Sequence, residues 1–243
     1  IDTVEVSFSE QFIDNIRAIL KDRPIDYLVV DHMEPDHSSS IKTLRLLYPE
    51  MQIVGNAKTL QMLDGYYGIH TLTREVKEGE SISLGKKNLS FYMAPMVHWP
   101  EVMVTYCPEH KVLFSADAFG TFGALNGGIL DSQLSLDHFW DEMRRYYACI
   151  VGKYGAPVQK ALQKLSGLPI ETLCSTHGPV WQQEIGRVIG IYDQLSRYEG
   201  EPGVVIAYGS MYGNTAQMAE KIARELAVQG VKNIIVYNLS YAD

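Results

Sequence analysis

Tyr27-Leu28-Val29-Val30-Asp31-His32-Met33-Glu34-Pro35-Asp36-His37 is the stretch that decides the fold. Its first four residues are an apolar, β-prone run and read as a buried strand. The chain then turns polar and brings four side chains able to bind a metal within six residues: His32, Glu34, Asp36 and His37. Open α/β sheets hold their sites in loops at the C-terminal ends of strands. In an extended loop alternate side chains share a side, so His32, Glu34 and Asp36 are expected to converge. His37 is expected to follow as the chain turns into the next helix. A merely solvated loop rarely pairs two histidines with two carboxylates so densely.

Working outward, three more side chains stand at the ends of expected strands. His98 ends the run 91–97, Asp117 follows Leu113-Phe114-Ser115-Ala116, and His177 follows Thr172-Leu173-Cys174-Ser175-Thr176. His70, His110 and His138 lack this placement and read as surface or structural.

Helix and strand signals alternate around these positions. Ser9 is a plausible N-cap for a helix whose apolar stripe is Phe12, Ile13, Ile16, Ile19 and Leu20, and Pro24 stops it. A helix over 41–47 and a strand over 52–54 follow. From 71 to 115 the pattern turns strand-rich (81–84, 89–93, 102–106 and 112–114). A Gly-rich loop over 120–128 leads to a helical stretch over about 136–165, a strand over 171–174 and a helix over 182–198. Tyr198-Glu199-Gly200-Glu201-Pro202-Gly203 is polar and breaker-rich, the best domain boundary. Beyond it a strand (204–208), a helix (215–228) and a strand (233–237) form a βαβ unit, which implies a parallel sheet.

The chain has 243 residues, 46% hydrophobic and 21% charged, ordinary values for a globular protein. A net charge of −8 argues against nucleic acid, which needs a basic face. Three widely spaced cysteines, Cys107, Cys149 and Cys174, offer neither a disulfide framework nor a Cys-x-x-Cys knuckle, which fits a reducing cytoplasm. No apolar run approaches 18 residues, so no membrane-spanning helix is expected.

The cluster with its downstream His, Asp and His resembles the metallo-β-lactamase superfamily, an αββα sandwich holding two metals at one edge. Most hydrolases of that superfamily carry His-x-His-x-Asp-His and bind zinc. Here Glu34 replaces the second His, and His-x-Glu-x-Asp-His resembles the flavodiiron branch, the A-type flavoproteins. The resemblance implies His32, Glu34 and His98 on one iron, Asp36, His37 and His177 on the other, and Asp117 bridging. Oxygen ligands suit an ion that cycles between ferrous and ferric states. Zinc, without redox chemistry, could only activate water.

Ser210-Met211-Tyr212-Gly213-Asn214-Thr215 follows the strand 204–208 and opens a helix, a setting in which hydroxyls and backbone N–H groups cradle phosphate. The segment resembles the FMN phosphate loop of flavodoxins. The expected organisation is a metallo-β-lactamase-like diiron domain over 1–200, N-terminally incomplete, then the start of a flavodoxin-like doubly wound parallel sheet over 203–243, C-terminally truncated.

The resemblance further implies reduction of dioxygen to water or of nitric oxide to nitrous oxide, with electrons passing from FMN to the two irons. It implies a head-to-tail homodimer, or a dimer of dimers, in which each flavin serves the partner's irons. No rubredoxin-type pair of Cys-x-x-Cys motifs occurs, so a separate rubredoxin, a reduced deazaflavin or a further domain would supply the electrons. Trp99 could form a wall between flavin and iron, and Tyr146 or Tyr147 could hydrogen-bond a bound ligand; core packing is the competing role for each. A zinc hydrolase of the same fold is the alternative function, opposed by Glu34 and by the flavodoxin-like start. A non-catalytic redox protein with a vestigial site is a third, opposed by seven intact donors.

Overall fold

The structure, a computed structural model, describes residues 1–241 and divides into two compact units, Ile1–Tyr198 and a second from Glu199 onward. In the first unit α1 (Ser9–Leu20) buries Ile13 and packs Phe12 and Ile16 beside it, the stripe expected of an amphipathic helix. Ser9 is not its N-cap. It is already helical, and its hydroxyl meets that of Ser40 at 2.6 Å.

Strands β1 (Tyr27–Val29), β2 (Gln52–Gly55) and β3 (Thr73–Glu75) form a parallel sheet. A short helix α2 (Pro35–Ser38) and α3 (Ile41–Leu47) connect the first pair, and α4 (Ala57–Tyr67) the second. Asn56 caps α4, its Oδ1 accepting from the backbone N–H groups of Lys58 and Thr59. The second sheet has six strands in sequence order: β4 (Ser81–Ser83), β5 (Asn88–Met93), β6 (Met103–Cys107), β7 (Val112–Phe114), β8 (Thr172–Cys174) and β9 (Val180–Trp181). Neighbours are antiparallel except β7 and β8, so β5, β7 and β8 all point the same way.

Helices α5 (Asp137–Tyr146), α6 (Gly155–Leu165) and α7 (Ile185–Ser196) complete the unit. The helical stretch expected over about 136–165 is thus two helices, with a wide turn over 147–151 and a tight one over 152–154 between them. Gly155 explains the break. A Cβ there would lie 2.3 Å from the carbonyl oxygen of Ser196, so only glycine lets α6 start against the end of α7.

Three buried clusters define the layers. Ile13, Ile41, Leu44 and Leu63 join Leu28 and Ile53 between the first helices and the parallel sheet. Val29, Val54, Ile82, Phe91 and Met103 lie between the two sheets. Val104, Leu113, Leu173, Met143, Val158 and Val188 fill the space between the second sheet and α5–α7. Helix, sheet, sheet, helix is the αββα sandwich, and each sheet is hydrophobic on both faces because both are covered.

The second unit is smaller. Parallel strands β10 (Val204–Tyr208) and β11 (Ile234–Asn238) are joined by α8 (Asn214–Val228). Among the described residues no helix is long and apolar enough to cross a membrane.

Candidate metal centre

Since β5, β7 and β8 run the same way, the loops after them leave one edge of the second sheet. The loop after β1 joins them, tied by a hydrogen bond from the Met103 N–H to the Asp31 carbonyl. His98 follows β5, Asp117 follows β7, His177 follows β8, and the 31–37 segment follows β1. The fold brings all seven sequence-selected side chains to this edge.

They sort into two lobes. In the first, His98 Nε2 lies 3.0 Å from Glu34 Oε2 and 2.9 Å from Asp117 Oδ2, and His32 Nε2 lies 3.2 and 3.4 Å from the same oxygens. In the second, His37 Nε2 is 3.0 Å from Asp117 Oδ1 and 3.6 Å from Asp36 Oδ2, and His177 Nε2 is 3.2 and 3.3 Å from those atoms. Asp117 therefore gives one oxygen to each lobe. The convergence expected along an extended loop holds only as far as Glu34. Pro35 starts the helical turn of α2, which swings Asp36 and His37 away to the second lobe.

These separations fit metal coordination. Donors 2.0–2.2 Å from a shared ion stand roughly 3.0–3.5 Å apart along the edges of an octahedron or tetrahedron. His37 Nε2 is buried and makes no hydrogen bond of normal geometry, as expected of an atom aimed at a point shared with the carboxylates rather than at one of them. Three carboxylates also nearly balance two divalent cations.

Without cations, protons supply the balance. Burial would depress the His37 imidazole, but the carboxylates of Asp117 and Asp2 outweigh it and hold it at about 11. His98 and His177 are likewise held at about 9 against burial, both by Asp117, with Glu34 acting on the first and Asp36 on the second. Hydrogen bonding with His32 and then His98 holds Glu34 at about 2. Burial would raise Asp117, yet its contacts with His177, His37 and His98 keep it far below the usual carboxylate range.

The site also uses residues the sequence reading missed. Asp2 is buried; its Oδ1 accepts from the backbone N–H groups of Asp31 and His32, and its Oδ2 faces His37 Nδ1 at 3.3 Å. Glu101 stands behind His32, its Oε1 2.8 Å from Nδ1. Thr176 donates its hydroxyl to Asp117 Oδ1 at 3.1 Å. Gly178, at φ +86°, lets the His177 loop press on Thr121, whose Oγ1 would lie 2.3 Å from an added Cβ. Asp2 has no local signal, being about 30 residues from the groups it holds. Glu101, three residues after His98, could have been found by asking which acid backs a ligand.

Of the weaker choices, Trp99 sets its ring edge-on to His32, at 5.2 Å between centroids. Tyr146 has its ring 5.7 Å from that of His177, while Tyr147 packs into the core against Tyr192 at 5.0 Å. The ring beside the site is that of Tyr146, and burial with the Asp117 charge drives its phenol far above its ordinary pKa.

In the second unit, Gly213 at φ +87° is the N-cap of α8, with no side chain capping the helix. Its N–H is accepted by Ser210 Oγ at 3.0 Å, and Ser210 N–H by Ser240 Oγ at 3.0 Å, a partner sequence reading missed. Met211 and Tyr212 are exposed. No side chain caps the first N–H groups of α8, which is the setting expected if Ser210, Met211, Tyr212, Gly213, Asn214 and Thr215 form a phosphate loop.

A four-layer sandwich with its donor loops at one sheet edge defines a metallo-β-lactamase-like protein. Residues 1–178 match the family described as ODP family beta lactamase, and the chain belongs to that family. It is 33% identical over 246 aligned residues to a nitric oxide reductase of Moorella thermoacetica, covering 100% of this chain and 61% of that protein. Among solved structures, the flavodiiron protein of Giardia intestinalis superposes with a TM-score of 0.91 at 30% identity, over 100% of this chain and 59% of that one. The rubredoxin oxygen:oxidoreductase of Desulfovibrio gigas superposes with a TM-score of 0.90 at 28% identity, over 97% and 59%. The chain thus spans about three fifths of the length of these relatives.

Proposed function

We propose that the chain is the metal-bearing part, with the start of the flavin-bearing part, of a flavodiiron oxidoreductase that reduces dioxygen to water, nitric oxide to nitrous oxide, or both. One observation carries the reading: seven donors in two lobes, three of them carboxylates, with Asp117 divided between the lobes. His32, Glu34, His98 and Asp117 would hold one iron, and Asp36, His37, His177 and Asp117 the other. The names of the relatives support the same chemistry.

Two irons held by these residues would supply redox equivalents and paired Lewis acidity for reducing one diatomic molecule or two small molecules together. The chain's own part is positioning and charge. Glu34, in the place where zinc hydrolases of this fold carry histidine, favours an ion whose charge must rise and fall. Asp117 screens the repulsion between the ions. Tyr146, whose ring stands 5.7 Å from that of His177, keeps its proton over the whole working pH range and so would offer a donor to a ligand bound beside that imidazole.

Ser210 to Thr215 would hold the FMN phosphate at the N-terminus of α8, leaving the flavin electronics to residues outside this segment. The flavin that reduces each iron pair is assigned to a second copy in a head-to-tail arrangement, as dimer or dimer of dimers. The boundary of about six residues reaches at most roughly 20 Å, and closed two-fold dimers are the commonest assembly. A rubredoxin-type protein or a reduced deazaflavin would be the electron donor. The test is anaerobic reduction of the iron- and FMN-loaded full-length protein, followed by parallel dioxygen and nitric oxide consumption. Consumption of neither gas by protein with full iron and flavin would overturn the reading.

A further inference from the structure

Glu101 lies in the same loop as His98, beyond Trp99 and Pro100, just before β6. Its side chain is fully buried. Its Oε1 meets two nitrogens, His32 Nδ1 at 2.8 Å and the Met33 backbone N–H at 2.9 Å, while Oε2 has no hydrogen-bond partner. The Met33 N–H makes Oε1 an acceptor, so with an ion in the lobe the His32 proton would sit on Nδ1 and Nε2 would offer its lone pair to the ion held with Glu34 and His98. The loop is itself anchored: the Glu101 carbonyl accepts from Asn56 Nδ2 at 2.5 Å, and Asn56 caps α4 with its other amide atom.

We infer that Glu101 is a positioning residue for one lobe: it fixes the ring and tautomer of His32 and strengthens that imidazole as a donor to the ion held by His32, Glu34 and His98. The inference rests on the two-iron reading above. The arrangement is local to this lobe. In the other lobe the carboxylate behind His37 belongs to Asp2, at the longer distance of 3.3 Å and from a different part of the chain. One loop therefore supplies both a rim ligand, His98, and the support of the buried ligand, His32, for the same ion. Removing such a support costs about 10–100-fold in metal affinity or activity.

A residue that merely held the loop through the Met33 N–H would behave differently. Glu101→Gln keeps the volume and the carbonyl acceptor but deletes the charge. Loop packing alone would leave the ion's potential unmoved by that change. Loss of an anion behind His32 destabilises the ferric state and raises the potential of that one ion.

The test uses full-length protein loaded with ⁵⁷Fe: wild type, Glu101→Gln and Glu101→Ala, with His98→Ala marking which ion belongs to this lobe. Iron per chain, Mössbauer spectra and the two midpoint potentials are measured. The expected result is that Glu101→Ala holds the marked ion about 10–100-fold more weakly and keeps the other. Glu101→Gln is expected to keep both ions and raise the potential of the marked one alone. Equal loss of both ions from Glu101→Ala, or unchanged spectra and potentials in Glu101→Gln, overturns the inference. If Glu101→Ala does not fold, Glu101→Gln decides. Fewer than two irons in the wild type would sink the two-iron reading, and this inference with it, before any variant is compared.

Discussion

The two units of the chain bury themselves very differently. The first encloses three hydrophobic clusters between four layers, with Phe91, Leu113, Leu173 and Trp181 wholly inside. In the second, β10 alternates between half-buried and exposed, Val205 is 62% exposed, and Ala219 is the one buried residue of α8. A parallel sheet needs cover on both faces, and one helix covers one. A metal site demands donors held within tenths of an ångström, which only a closed core around the loop bases provides. A phosphate loop needs only a strand end and a helix start, both of which lie within a dozen residues.

The sharpest break of that comparison is Asp117→Ala, which removes the one side chain shared by both lobes. Metal affinity should fall by more than about 100-fold, beyond the cost of losing a support behind a ligand, and reductase activity with it. His98→Ala should be milder, because it strips one lobe only. Metal counting on both variants checks this, and two tightly held irons in Asp117→Ala would remove Asp117 from the site.

The next contrast is in stability. Phe91→Ala opens a cavity between the two sheets and should cost about 3–5 kcal/mol. In the 243-residue chain, where no described residue covers that face of β10, Val205→Ala should change stability by less than about 0.5 kcal/mol. Urea unfolding of each variant measures both, and similar costs would erase the distinction between the units.

A smaller effect separates metal-free from metal-loaded protein. His98 and His177 are held at about 9 in the metal-free fold, above the ordinary value of about 6.5. A pKa raised on folding stabilises most below the unfolded value and loses that effect as pH climbs through the folded one. Metal-free protein should therefore lose stability between about pH 6.5 and 9. The affinity of the folded protein for metal should instead rise over the same window, because ligation needs neutral imidazoles and releases their protons. Denaturation of the metal-free protein and metal titration, each at the two ends of the window, test the opposite signs.

The smallest expected change is Gly213→Ala. At φ +87° the added Cβ strains the N-cap of α8 while meeting no neighbour within 4 Å. The penalty should be about 1–2 kcal/mol, read as weaker FMN binding by the full-length protein with unaltered iron content. Unchanged FMN affinity would take the glycine out of the phosphate loop's requirements.

Much of this protein was legible from the chain because its signals are local. A β-prone run followed by a dense row of donors marks a strand-end site, and His98, Asp117 and His177 announce themselves by standing after other strands. The βαβ spacing and Ser210 to Thr215 are likewise contained in a few dozen residues. The stripe of α1 and the alternation of strands follow from periodicity alone.

Other features depend on contacts between distant segments. The break between α5 and α6 answers the close approach of α7 at Gly155. Tyr146 and Tyr147 are equivalent in sequence, and only the packing of Tyr192 against one of them leaves the other beside His177. Asp2 and Glu101 find His37 and His32 across 35 and 69 residues. Sequence by itself determined the donors, because ligand chemistry resides in residue type and strand-end position; tertiary structure alone decided which carboxylate stands behind which imidazole, because that depends on how sheets and loops pack.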